Sequence, residues 1–267
     1  MKVGAFIPVR LASERLPGKA LRELSGRPVI FHLLDRVCAC RFVGDPKDVI
    51  VCTTITSSDD PLVSAVESYG CSVFRGAVDD IIDRFNDAMQ AFPLDFVIQA
   101  NGDNPLSAIE AMDKTVSHLV ENQDVDVATI SGLPLGTSTH AFTRRALNTV
   151  VDAYETCRND TGFFYYFTRT GLCKHVELEN SDINCRLPEA RLTLDYEEDL
   201  EMFEAIFSEL QRPGELIGLA EVVQFLRGHK DVLGLNSHLD TDYWTRTSEK
   251  AQLEFRAPSG EKRKIAT

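Results

Sequence analysis

Short apolar runs alternate with amphipathic stretches along the first half of this chain, and few architectures accept that order. Residues 3–9, 48–53, 71–74, 94–99 and 125–130 read as strands. Between the first two, Ser25-Gly26 turns the chain and Pro28 opens a helix whose apolar face is Val29, Ile30, Leu33, Leu34 and Val37. Ser57-Ser58-Asp59-Asp60-Pro61 starts a second helix, with Leu62, Ala65 and Val66 inward and Gly70 at its end. Residues 79–92, with Ile81, Ile82, Phe85, Ala88 and Met89 as the buried stripe, and residues 108–120 complete the helical set. Strands separated by helices at this spacing predict an α/β fold: a single doubly wound, mostly parallel sheet of Rossmann-like type.

Beyond Ser131 the pattern loosens. Residues 133–142 read as a strand or an extended excursion, 143–154 as a helix, and 159–170 as an aromatic helix. Tyr165 and Tyr166 in that helix are expected to pack, at a subunit contact if one exists. Residues 173–178 and 191–194 are strand candidates, and 196–210 and 215–226 are helix candidates. One domain is expected over residues 1–239, followed by a polar tail, 240–267, disordered from about residue 257.

The chain has 267 residues and a net charge of −13. That balance argues against nucleic-acid binding, which needs a basic footprint. Any cationic cluster is then a local feature in a negative field, and an anionic substrate is expected to bring Mg²⁺ with it. Seven cysteines without a Cys-x-x-Cys pair fit thiols in a reducing cytoplasm better than a disulfide framework. No apolar run approaches membrane-spanning length, so neither a membrane nor nucleic acid is an expected partner.

Chemistry-bearing residues gather where an open parallel sheet binds ligands, outside the carboxyl ends of its strands. After the first strand runs Arg10-Leu11-Ala12-Ser13-Glu14-Arg15-Leu16-Pro17-Gly18-Lys19. Pro17 sets φ for one turn position and Gly18 accepts the positive φ of the next, so the turn returns Lys19 towards Arg10 and Arg15. Three cations there suit a polyphosphate. After the strand ending at Gln99 comes Asn101-Gly102-Asp103-Asn104-Pro105, with Gly102 allowing close backbone approach and Asp103 presenting a carboxylate. Beside polyphosphate a carboxylate makes sense mainly as a metal ligand. Asp195, after residues 191–194, is either a second such carboxylate or a helix N-cap. Neither Gly-x-Gly-x-x-Gly nor a Walker-type loop follows the first strand, which argues against dinucleotide binding and ATP hydrolysis.

Arg10 to Leu21, Gly102-Asp103-Asn104-Pro105-Leu106 and Asp195-Tyr-Glu-Glu-Asp-Leu200 stand in the order seen in one enzyme family. The chain resembles the CMP-acid-sugar synthetases, CMP-Kdo synthetase among them, and within them the branch of the spore coat polysaccharide biosynthesis protein F. The resemblance spans roughly residues 3–210. It implies a cytidylyltransferase, usually a homodimer using a small excursion of the sheet for contact. CTP and a small anionic acceptor would be its substrates, and the product would serve surface-glycan or specialised-metabolite synthesis. By position, Arg10, Lys19 and Asp103 carry catalysis. Leu11, Ala12, Ser13, Arg15, Lys19, Arg75, Gln99, Asn101 and Gly102 contact the nucleotide, and Asp103 and Asp195 hold Mg²⁺. The segment Asp80 to Arg84 is expected nearby.

Departures from the family pattern cluster on the acceptor side. Gln99 stands where the branch commonly has Arg, and Asn101 where the CMP-Kdo enzymes have Gln. Asn159-Asp160 replaces a Glu-His pair, and an acidic residue expected in the middle segment is replaced near His140, within Thr137-Ser138-Thr139-His140. A lone histidine is more often structural than a base, and His140 is read so, with a base role as the alternative.

Overall fold

A computed structural model describes residues 1–265. Seven strands form the main sheet: β1 (Val3–Pro8), β2 (Val49–Thr54), β3 (Ser72–Gly76), β4 (Phe96–Gln99), β5 (Val127–Ser131), β6 (His140–Thr143) and β7 (His175–Glu179). Their order across the sheet is β3-β2-β1-β4-β6-β5-β7. All neighbours are parallel except β6, which runs antiparallel to both β4 and β5. The chain steps outward from β1 to β2 and β3, then returns to lay β4 on the other side of β1. That reversal opens a crevice between the carboxyl ends of β1 and β4.

Both faces of the sheet are covered, so β1 is apolar throughout rather than alternating. Ala5 and Ile7 face a core built with α1 (Val29–Cys38), α2 (Asp60–Tyr69) and α4 (Ile109–Glu121). Phe6, Ile50 and Cys52 face the opposite core, with α3 (Ile81–Ala91), α5 (Arg144–Ala153) and the aromatic residues Phe163, Phe164, Tyr166 and Phe167. A third cluster lies beneath the loops: Leu16, Leu106, Leu192 and Leu194 pack on α7 (Glu197–Leu210) and α8 (Leu219–Gly228). Among the described residues no helix is long and apolar enough to cross a membrane.

Four local expectations are corrected. Residues 191–194 make no strand; an isolated bridge joins Leu135 to Arg191, and the segment is held by Leu192 N–H donating to Leu135 O at 2.7 Å. The aromatic stretch is helical only in α6 (Tyr165–Thr168), because Gly162, at φ +78°, turns the chain just before it. The helix expected from residue 215 begins at Leu219, where Glu221 caps Gly218 N–H at 2.9 Å.

The tail carries the fourth correction. After α9 (Lys230–Gly234) it forms α10 (Asp240–Lys250) and a hairpin of β8 (Glu254–Arg256) and β9 (Lys262–Lys264). Leu253, Phe255, Ala257 and Ile265 enter the aromatic core. Leu253, Phe255 and Ala257 alternate with Glu254 and Arg256, a strand pattern hidden behind a polar average. Tyr166 donates from its hydroxyl to Glu254 O at 3.0 Å and is fully buried within the single chain, which removes it as a subunit-contact residue. Residues 266 and 267, also expected to be disordered, lie outside the described residues.

Candidate active site

Arg10 through Lys19 leave β1 and fold back tightly. Gly18 takes φ +70°, the left-handed conformation that the Pro-Gly pair predicts, and its N–H donates to Leu11 O at 2.9 Å. The loop is anchored at its start by Asp59, which accepts from Leu11 N–H at 2.8 Å and from Thr53 Oγ1 at 2.8 Å. Burial pushes the Asp59 carboxyl up, but the hydrogen bonds from Thr54, Leu11 and Thr53 bring it below its ordinary value. Ser13 Oγ accepts from Leu16 N–H, so its hydroxyl shapes the loop as well as lining the cavity above it.

Lys19 is delivered to the centre of the crevice. Its ammonium donates to Asp103 Oδ2 at 2.5 Å, Asp195 Oδ1 at 2.8 Å and Leu194 O at 2.8 Å. Burial works against its charge; Asp103 and Asp195 outweigh that and raise its pKa. Asp195 is placed beside Asp103 by a backbone bond, Leu194 N–H to Asp103 O at 2.9 Å. It is not a helix cap: Asp199 fills that role, accepting from Asp195 N–H at 2.8 Å and Tyr196 N–H at 2.9 Å. The Asp195 carboxylate meets Lys19, Arg15 and the fully buried Arg191. Burial tends to raise its pKa, yet Lys19 and Arg15 hold it at about 2. Arg191 is in turn gripped by Asp199 at 3.0 Å.

Arg10 lies across the crevice, donating to Asp79 Oδ1 and Asp160 Oδ2 at 2.9 Å each. Behind it Arg84, only 2% exposed, donates to the carbonyls of Cys52, Ala77 and Val78. Arg10, Ala12, Ser13, Arg15, Lys19, Gly102, Asp103 and Asp195 share one cavity. Gly102 is required there by packing more than by a ligand, since a Cβ would sit 2.4 Å from that of Val9.

Four expected residues fall outside the cavity lining. Leu11 turns into the core. Arg75 is spent on Asp60 at 2.7 Å and on the carbonyls of Thr54 and Thr56. Gln99 donates to Asn101 Oδ1 at 2.7 Å, and the pair stays beside the crevice. His140 stacks on Phe164 at 4.2 Å between ring centres, its Nδ1 buried without a partner. Burial, helped by His175, pushes its pKa down to about 4, and its place against Phe164, outside the cavity lining, makes it a packing residue. Asn159 is also structural: its Oδ1 accepts from Ile81 N–H at 2.7 Å and Ile82 N–H at 3.3 Å at the start of α3.

Sequence reasoning missed Glu14, Arg246 and Lys250 as members of this cavity, and marked Asp160 only as a departure on the acceptor side. Glu14 accepts from Arg246 and Lys250 of α10, and their hydrogen bonds pull its pKa down to about 2. These pairings join residues more than 200 positions apart, and no local spacing announces them. Among the described residues no three His, Cys, Asp or Glu side chains are grouped to hold a metal ion alone. Two carboxylates that converge on one cation are present, however, and hard oxygen donors are the ones Mg²⁺ takes.

Residues 5–212 match the cytidylyltransferase family. The chain is similar to the spore coat polysaccharide biosynthesis protein SpsF of Bacillus subtilis, 28% identical over 232 residues, covering 85% of this chain and 94% of that one. It is similar also to a 3-deoxy-manno-octulosonate cytidylyltransferase of Geobacter sulfurreducens, 29% identical over 174 residues and 64% of each chain. Among solved structures, a cytidylyltransferase from Leptospira borgpetersenii superposes with a TM-score of 0.78 at 25% identity, over 87% of this chain and 97% of that one. With the three motifs gathered at the crevice and the match spanning most of the fold, the chain belongs to the cytidylyltransferase family.

Proposed function

We propose that this chain transfers CMP from CTP to an acidic sugar, or a similar anionic acceptor, with release of pyrophosphate. The observation that carries the reading is Lys19, clamped between Asp103 and Asp195 at the sheet's reversal point with Arg15 on the same carboxylate. Anionic phosphates entering the crevice offer Arg10, Arg15 and Lys19 new partners. Asp103 and Asp195, released from Lys19, would hold Mg²⁺, which would offset charge on the phosphates. The cations orient the triphosphate and stabilise charge moving onto the leaving pyrophosphate, while the acceptor hydroxyl attacks the α-phosphorus. No side chain need form a covalent bond.

The names of the two relatives support the acceptor class: one is a spore coat polysaccharide biosynthesis protein, and the other a cytidylyltransferase of 3-deoxy-manno-octulosonate, a sugar acid. The test incubates the protein with CTP, Mg²⁺ and a panel of sugar acids and follows pyrophosphate. Asp103→Asn should lower turnover at least 100-fold, on the order of a lost charge-stabilising group. Full turnover in that variant would remove Asp103 from the reaction. A thermal-shift screen of four nucleoside triphosphates reads the base preference, because binding raises the melting point; preference for another base would replace CTP in this reading. We further propose a homodimer, read by the mass of the chain in solution.

A further inference from the structure

The family match ends at residue 212, yet the cavity is closed by side chains well beyond it. α10 is docked over the crevice from one end. Asp240, at its start, lies 3.7 Å from Arg191, and the Tyr243 ring covers the same guanidinium at 4.5 Å. One and two turns on, Arg246 and Lys250 reach the cavity and meet Glu14 in the loop after β1, Lys250 at 3.1 Å. Arg246 and Lys250 are about one-third exposed, and Glu14 about two-thirds.

The charge count around the cavity gives these two residues their weight. Six cations and four carboxylates line it, in a chain whose net charge is −13. Without Arg246 and Lys250 the lining is neutral. The excess positive charge that would hold a polyanion therefore comes from α10, outside the matched region. Glu14 sits on the same loop as Arg10, Arg15 and Lys19, so the two cations lie at the phosphate end of the cavity.

We propose that Arg246 and Lys250 bind the polyphosphate chain of the nucleotide, leaving Glu14 for the incoming phosphates. The inference rests on the reading of the loop after β1 as the phosphate site. Bound substrate then fastens α10 across the crevice, and Glu14 holds the two cations in place until it arrives. Half-exposed Trp244, the only tryptophan of the chain, sits on α10 and reports the exchange.

The experiment titrates CTP and inorganic tripolyphosphate, each with Mg²⁺, into wild type, R246A/K250A, R246K/K250R and Glu14→Gln. Binding is read by calorimetry and by Trp244 emission. Loss of two charge contacts from side chains about one-third exposed should weaken both ligands about tenfold in R246A/K250A. The charge-conserving variant should keep most of the affinity, and Glu14→Gln should bind more tightly than wild type. Melting curves of the unliganded variants confirm folding. Unchanged tripolyphosphate affinity in R246A/K250A overturns the proposal, as does a variant that raises KM for the acceptor alone. Wild type that binds tripolyphosphate without favouring CTP upholds it while removing the CTP reading. Wild type that binds neither ligand overturns both.

Discussion

Replacing Lys19 by methionine keeps the apolar stem and removes the charge that separates Asp103 from Asp195. The Lys19 side chain is 12% exposed and that of Asp195 4%, so the loss is felt in a poorly solvated place. Removing one partner of a buried pair costs about 3–5 kcal/mol. Asp195 keeps Arg15 and Arg191, and Asp103 is 23% exposed and can be hydrated, which lowers the expected cost to about 2–3 kcal/mol. For a chain of this size that corresponds to a fall in Tm of roughly 4–6 °C, measured by calorimetry in EDTA. Mg²⁺ should then restore part of the loss. The two carboxylates of the variant have no ammonium to compete for them, and an ion at ten times its Kd returns about 1.4 kcal/mol. Lys19→Met should therefore respond to Mg²⁺ more strongly than wild type, and Lys19→Met combined with Asp103→Asn should lose that response. Equal Mg²⁺ shifts in wild type and Lys19→Met would refute the pairing of these aspartates as a metal site. An unchanged Tm in EDTA would refute the cluster itself.

Asn159→Ala strips the buried acceptor from Ile81 and Ile82 N–H and should cost about 2 kcal/mol in denaturant unfolding. Gly102→Ala forces a Cβ to 2.4 Å from that of Val9 and should cost about 1–3 kcal/mol; Val9→Ala keeps the clashing Cβ and should leave most of that cost, whereas Val9→Gly should remove most of it, as double-mutant cycles would show. His140 has its pKa pushed down to about 4 from an ordinary 6.5, so between those pH values the unfolded chain takes a proton that the folded chain refuses. Stability should fall as pH drops through that window, by up to about 3 kcal/mol from this residue. His140→Phe should flatten that part of the profile, and an identical slope in the variant would contradict the assignment.

The parts of the site that the sequence discloses are those whose geometry is made locally. Pro17-Gly18 dictates a turn wherever it occurs, and the turn by itself sends Lys19 back. Asp103 follows directly from a strand end, and an open parallel sheet fixes which edge that end occupies. Asp195 is different, because the bond that sets it beside Asp103 belongs to a segment that alternates Leu192 and Leu194 like a strand. Those leucines face α7 instead, so the pattern is right and the partner wrong. Asp160, Glu14, Arg246 and Lys250 come from pairings across most of the chain, and exposed charges carry no periodicity. The hairpin after α10 escaped for the opposite reason: its few apolar residues suffice only because Phe163, Phe164 and Tyr166 await them.

Five of the six cations around the cavity already face a carboxylate. A ligand does not settle on bare positive charge here; it must outbid resident carboxylates. A solution anion with a single charge, chloride or acetate, gains too little from any one cation to break its pair. A chain of linked phosphates carrying its own divalent ion satisfies both sides of several pairs at once. Few mobile ions are stored in the crevice to be released, so affinity should depend on ionic strength less steeply than at an open basic groove. Internal pairing thus works as a valence filter, holding the crevice closed to the abundant small anions around it.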